Sequence, residues 1–113
     1  MESNSVVKSL AALAHESRLQ VFRALVVAGP EGLTPTGLAE LITIPAATLS
    51  FHLKELRNAG LINQLREGRN LHYSANFEHM NGVLGFLTEN CCQGASCETT
   101  TSMPSNLPMQ CDC

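Results

Sequence analysis

The stretch Thr34–Gly60, TPTGLAELITIPAATLSFHLKELRNAG, constrains the fold more than any other, because its punctuation admits two short helices and a tight turn between them. Thr34 is a good N-cap and Pro35 takes the first helical position, where a missing N–H costs nothing, so a helix is predicted to Ile42. Thr43-Ile44-Pro45 breaks it. A second helix is predicted from near Pro45 to Gly60, with Leu49, Leu53 and Leu56 spaced four and three apart on one stripe. Its other face carries Ala47, Thr48, Ser50, Phe51, Lys54 and Arg57, small, hydroxylic and basic side chains that suit a DNA major groove. Taken alone, the pair could equally be an αα-hairpin of a small helical domain. The residues after Gly60 separate the two possibilities.

From Leu61 the hydrophobic period shortens. LINQL and NLHYSA flank Arg66-Glu67-Gly68-Arg69, and Leu71, Tyr73 and Ala75 alternate with His72 and Ser74, which predicts a two-stranded hairpin around Gly68. A hairpin tip bearing Arg66 and Arg69 directly after a helix-turn-helix reads as a wing; the plain alternative is a solvated, charged turn. Ahead of the helix-turn-helix, residues 4–14 read as a helix with Val6, Val7, Leu10 and Leu13 on a wide apolar face. A second begins near His15-Glu16-Ser17, places Leu19, Phe22, Leu25 and Val26 on one stripe, and stops at Gly29-Pro30. After the hairpin, Asn76 caps a last helix from Phe77 to about Asn90, with Glu78 in the first turn where the helix dipole favours an acid. Its stripe of Phe77, Met80, Val83, Leu84 and Leu87 is widened by Phe86 beyond what one small core needs.

The apolar faces of the first and last helices, centred on Leu10, Leu13, Leu84 and Leu87, are therefore the expected dimer interface, and Gly82 and Gly85 would permit close approach there. The expected fold is mainly α with a small β-hairpin, a winged helix-turn-helix over residues 1–92 that is dimeric through its first and last helices. A flexible tail over 93–113, rich in Ser, Thr, Gly and Pro and containing cysteines, is expected beyond it.

A chain of 113 residues supports one domain, and its hydrophobic content of 44% against 15% charged residues leaves apolar surface for a partner. No apolar run reaches the length of a membrane span, and the N-terminus lacks the basic start and long apolar core of a secretion signal, so the expected location is the cytoplasm, away from membranes. The net charge of −3 conceals a gradient. Residues 50–75 carry Lys54, Arg57, Arg66 and Arg69 against Glu55 and Glu67, whereas residues 76–113 hold four acids and no Lys or Arg. The local field governs approach to phosphate, and a dimer presents the basic segment twice.

The stretches SLAALAHESRLQVFRALV, TLSFHLKELRNAGLI and REGRNLHYSA resemble the ArsR/SmtB family of metal- and metalloid-responsive repressors over residues 4–90. The resemblance implies a homodimeric repressor, without enzymatic activity, that holds double-stranded operator DNA when empty and releases it when an ion binds. In many arsenite sensors of that family the thiols lie at the start of the helix here spanning Pro35 to Ile42, where this chain has no cysteine. The paired His and acidic ligands of zinc sensors are also missing, since the last helix offers only Glu78 and His79. The ending TENCCQGASC is instead similar to an arsenite-responsive subset with three thiols at the end of the terminal helix.

Five cysteines, an odd number and all within the last 23 residues, argue for reduced thiols that bind or sense something rather than a disulfide framework. As(III) and Sb(III) take three thiolates in a pyramid, and Cys91, Cys92 and Cys97 supply that count, with Gly94-Ala95-Ser96 able to fold Cys97 back. Structural Zn²⁺ would want four ligands in a tetrahedron. Soft ions such as Cd²⁺ or Pb²⁺ also suit a thiolate site, and Cys91 and Cys92 could alternatively sense oxidants or simply be small residues at a helix end. Cys111 and Cys113 carry a weaker signal. A small thiol oxidoreductase is the remaining class, disfavoured because no Cys-x-x-Cys opens a helix. No organic cofactor is expected. Among the histidines, His52 is expected to be a half-buried packing residue, and His15, His72 and His79 carry no functional signal.

Overall fold

The computed structural model describes residues 1–90. In chain order they form α1 (Ser3–Leu13), α2 (Glu16–Ala28), a 3₁₀ turn (Gly29–Glu31), α3 (Pro35–Ile42), α4 (Ala46–Asn58), β1 (Ile62–Glu67), β2 (Asn70–Ala75) and α5 (Phe77–Leu87). Local chemistry sets these boundaries. Thr34 Oγ1 accepts the Gly37 N–H at 3.0 Å, and Thr43 ends α3 in the left-handed region at φ 63°. Asn76 Oδ1 accepts the His79 N–H at 3.1 Å to start α5. Helix α5 stops at Leu87, short of the expected Asn90: the Glu89 N–H bonds back three residues to the Phe86 carbonyl instead of four, and Asn90 turns into the left-handed region at φ 59°.

The core forms where α4 lies on α2 and α3, with Val21, Leu25, Leu38, Leu49 and Leu56 almost fully buried. Leu53, Leu61 and Ile62 extend it under the hairpin. Helix α2 is rotated from its expected stripe: Leu19 is exposed and Val21 takes its place in the core beside Phe22 and Leu25. In α1 the buried face is Val6, Ser9 and Ala12, so Val7 is left in solvent. None of the described helices is long and apolar enough to cross a membrane.

The hairpin is antiparallel, pairing Ile62 with Ala75 through to Glu67 with Asn70, and it turns at Gly68, whose φ is 62°. A further bridge anchors it: Leu33 N–H donates to the Tyr73 carbonyl at 2.9 Å, and Tyr73 N–H donates to the Leu33 carbonyl at 2.8 Å. This approach requires glycine at position 32, where φ is 71° and a Cβ would run into the Tyr73 carbonyl.

Two polar clusters seat the helices where apolar packing ends. The fully buried Ser9 hydroxyl donates to the Ser5 carbonyl at 3.0 Å and shares a 2.7 Å hydrogen bond with His79 Nε2, joining α1 to α5. The His79 ring also lies against Gly60, just past the end of α4. In the second cluster Arg18 Nε donates to His52 Nδ1 at 3.3 Å and Arg18 Nη1 donates to the Ala12 carbonyl at 3.4 Å. The His15 and His52 rings sit 4.7 Å apart, while His15 Nδ1 accepts the Ser17 N–H and so caps α2. His52 is thus more deeply buried than expected, at 4% exposure.

Burial holds the His52 pKa below the ordinary histidine value, and the nearby His15 and Arg18 push it the same way. The folded protein keeps His52 neutral while the unfolded chain takes up a proton, so the stability it confers is present above about pH 6.5 and is lost as pH falls below that value. Thermal unfolding midpoints of the wild type should decline between pH 7.5 and 5 more steeply than those of His52→Gln, whose amide can still accept from Arg18. Parallel curves would refute this role.

Candidate nucleic-acid interface

Once Leu49, His52, Leu53 and Leu56 are buried, the remaining faces of α4 are committed to solvent. Ala47, Thr48, Ser50, Phe51, Lys54 and Arg57 are all exposed, as the spacing predicts. The N-terminal half of this surface borders an open cleft of about 320 Å³ between α3 and α4, lined by Pro35, Thr36, Ala39, Ala46 and Ser50 among others. Arg66 and Arg69 are likewise exposed, on the hairpin beyond α4.

The exposed residues of α4 are not equally free. Arg57 Nη1 donates to Gln64 Oε1 at 2.8 Å, and Gln64 Nε2 donates to the Tyr73 hydroxyl at 3.0 Å, so a polar chain ties the end of α4 to both strands. Phe51 is 54% exposed, with the Arg18 guanidinium 5.8 Å over its ring and the His52 ring 5.9 Å away. Neither Arg18 nor Gln64 stands out in the sequence. Arg18 lies in α2 within a run read only for its apolar stripe, and no local pattern pairs it with residues of α4.

Between α1, α2 and α5, Leu10, Leu13, Leu84 and Leu87 line an apolar cleft of about 310 Å³ together with Phe22 and Met80. Leu10, Leu84 and Leu87 are 41%, 53% and 55% exposed, a degree of apolar exposure that suits a covered surface. Gly82 is occupied differently from the expectation, because the Met1 side chain lies over it; Gly85 faces open space.

Cys91, Cys92 and Cys97, with Cys111 and Cys113, lie outside the described residues, as does the expected boundary between 92 and 93. Among the described residues no group of three or more His, Cys, Asp or Glu side chains could hold a metal ion.

A helix-turn-helix domain family matches residues 13–64. The chain is 35% identical over 81 residues to the arsenical resistance operon repressor of Bacillus subtilis (strain 168), covering 72% of this chain and 73% of that protein. Its fold is similar to that of an ArsR-like transcriptional regulator from Rhodococcus sp. RHA1, with a TM-score of 0.71 and 22% identity over 80% of this chain and 83% of the other. It is also similar to the homodimeric winged helix-turn-helix DNA-binding domain of Mb0332 from Mycobacterium bovis, with a TM-score of 0.61 and 21% identity over 81% and 85% of the two chains. The arrangement of exposed α4, two-stranded wing and flanking helices is that of a winged helix-turn-helix, and the chain belongs to the ArsR/SmtB family of transcriptional regulators.

Proposed function

We propose that the protein is a homodimeric transcriptional repressor that binds double-stranded operator DNA and releases it when As(III), or Sb(III), binds the thiolates of Cys91, Cys92 and Cys97. The observation that carries the DNA-binding reading is the continuous exposed surface of α4, in which small and hydroxylic side chains at Ala47, Thr48 and Ser50 lead to Phe51, Lys54 and Arg57. The arginines at Arg66 and Arg69 extend it into the wing. Base edges are read by the former group and phosphates by the cations. Dimerisation is supported by the apolar cleft along α1 and α5 and by the homodimeric Mycobacterium bovis domain of similar fold. Sensing of arsenic is supported by the Bacillus subtilis arsenical resistance operon repressor as a relative and by the count of thiols, which suits a pyramidal three-thiolate site.

The ion-binding thiols come directly after α5 in sequence, and α5 is also a dimer helix in this reading. An ion that binds the DNA-incompetent arrangement better shifts the two α5 helices and with them the spacing of the two α4 helices. A coupling of about 3 kcal/mol weakens operator affinity by roughly a hundredfold or more.

Three tests address the parts of this reading, each with duplexes selected in vitro from a random-sequence library. Arg69→Ala should lower the slope of log affinity against log salt by roughly one per subunit, and an unchanged slope would remove the wing from the DNA contact. Leu84→Glu buries a charge in the dimer interface and should yield a monomer by sedimentation; a dimer that still binds DNA would take α5 out of the interface. In titrations with arsenite, antimonite, Cd²⁺ and Zn²⁺ in parallel, Cys91→Ser, Cys92→Ser and Cys97→Ser should each bind DNA normally yet release it poorly with arsenite. Deleting residues 100–113 should leave release intact. Full response in all three serine variants would place the sensor elsewhere.

A further inference from the structure

We propose that Phe51 is a reader of the thymine methyl group, held in reading position by Arg18; the inference rests on the DNA-binding role proposed above. The major groove presents one apolar feature, the C5-methyl of thymine, among hydrogen-bond donors and acceptors. Phe51 is the aromatic residue on the exposed face of α4, more than half exposed, and it offers nothing but apolar surface to a base edge. Its neighbours one turn back on that face, Ala47 and Thr48, are small and leave room on that side for the ring to meet a base, while Lys54 flanks it one turn on.

The ring is also pre-placed. Arg18 sits 5.8 Å over it, and that guanidinium is itself fixed by its hydrogen bonds to His52 Nδ1 and the Ala12 carbonyl. A cation over the ring face favours one ring orientation, and the anchoring of Arg18 by α1 and by buried His52 carries that preference from the core to the DNA-facing surface. An exposed aromatic side chain without such a buttress would lose rotamer freedom on entering the groove. Arg18 is accordingly a positioning residue, and Phe51 is the group that touches DNA.

The test uses the full chain and duplexes selected from a random library, rebuilt with deoxyuridine in place of thymidine at one position at a time, which removes only the methyl. Wild type should lose roughly fourfold in affinity at one thymine per half-site, the transfer worth of one buried methyl, and roughly fifteenfold when both half-sites carry uracil. Phe51→Ala should bind thymine and uracil duplexes equally, with its salt slope unchanged because no phosphate contact is lost. Arg18→Gln should narrow the thymine-to-uracil ratio, a quantity that a lower fraction of folded protein does not alter. If duplexes are enriched but uracil costs wild type nothing at any position, or if Phe51→Ala keeps the wild-type ratio, the inference is wrong while the DNA-binding reading stands. An unchanged ratio in Arg18→Gln would overturn the positioning role, and failure to enrich any duplex would overturn the DNA-binding reading itself.

Discussion

Leu49, Leu53 and Leu56 must leave water, and most of the capacity of α4 to act derives from that. Each leucine contributes about 1.5–3 kcal/mol when it is buried fully, and the three share one face of a helix that advances roughly 100° per residue. Rotating α4 by a single residue would bring at least one of them to the surface and carry an exposed polar or basic residue into the core. The outward face from Ala47 to Arg57 is therefore fixed by subtraction. Side chains suited to DNA need only occupy the positions that the core leaves over.

Apolar packing sets the angular position of α4 but says little about its ends, and there the polar contacts take over. The C-terminal end is bracketed by Ser9 and His79, which lie at the junction of α1, α5 and Gly60, and by the chain from Arg57 through Gln64 to Tyr73. The middle is braced by Arg18 and His52. These contacts connect α1 and α5, which line the apolar cleft, with α4. Among the described residues no buried side-chain nitrogen or oxygen lacks a partner, so none of these joints stores an unmet hydrogen bond.

The hairpin depends on the same body at a different point. Two strands by themselves are marginal in water, yet β2 gains backbone hydrogen bonds to Leu33, and Tyr73, Ser74 and Ala75 are buried against the helices. The tip from Arg66 to Arg69 has no such cover and stays in solvent. A firmly held base with an open tip bearing Arg66 and Arg69 is the geometry that the proposed wing contact with DNA requires.

Sequence alone determined the elements and the outward face of α4. The caps at Thr34 and Asn76, the break at Thr43-Ile44-Pro45, the leucine stripe and the change of period at Leu61 are properties of neighbouring residues, and all reappear in the structure. So does the exposure of the chosen residues on α4 and the hairpin. Local pattern was weaker wherever several faces were apolar. In α2, Leu19 and Val21 are equally hydrophobic, and only the placement of α3 and α4 decides that Val21 goes inward. The Met1 side chain over Gly82 is decided by a contact that composition does not announce. The joints were beyond reach for a related reason: Ser9 meets His79 across 70 residues and Arg18 meets His52 across 34. Periodicity carries information over a few turns of helix, whereas a hydrogen bond between distant segments exists only after the core has brought them together.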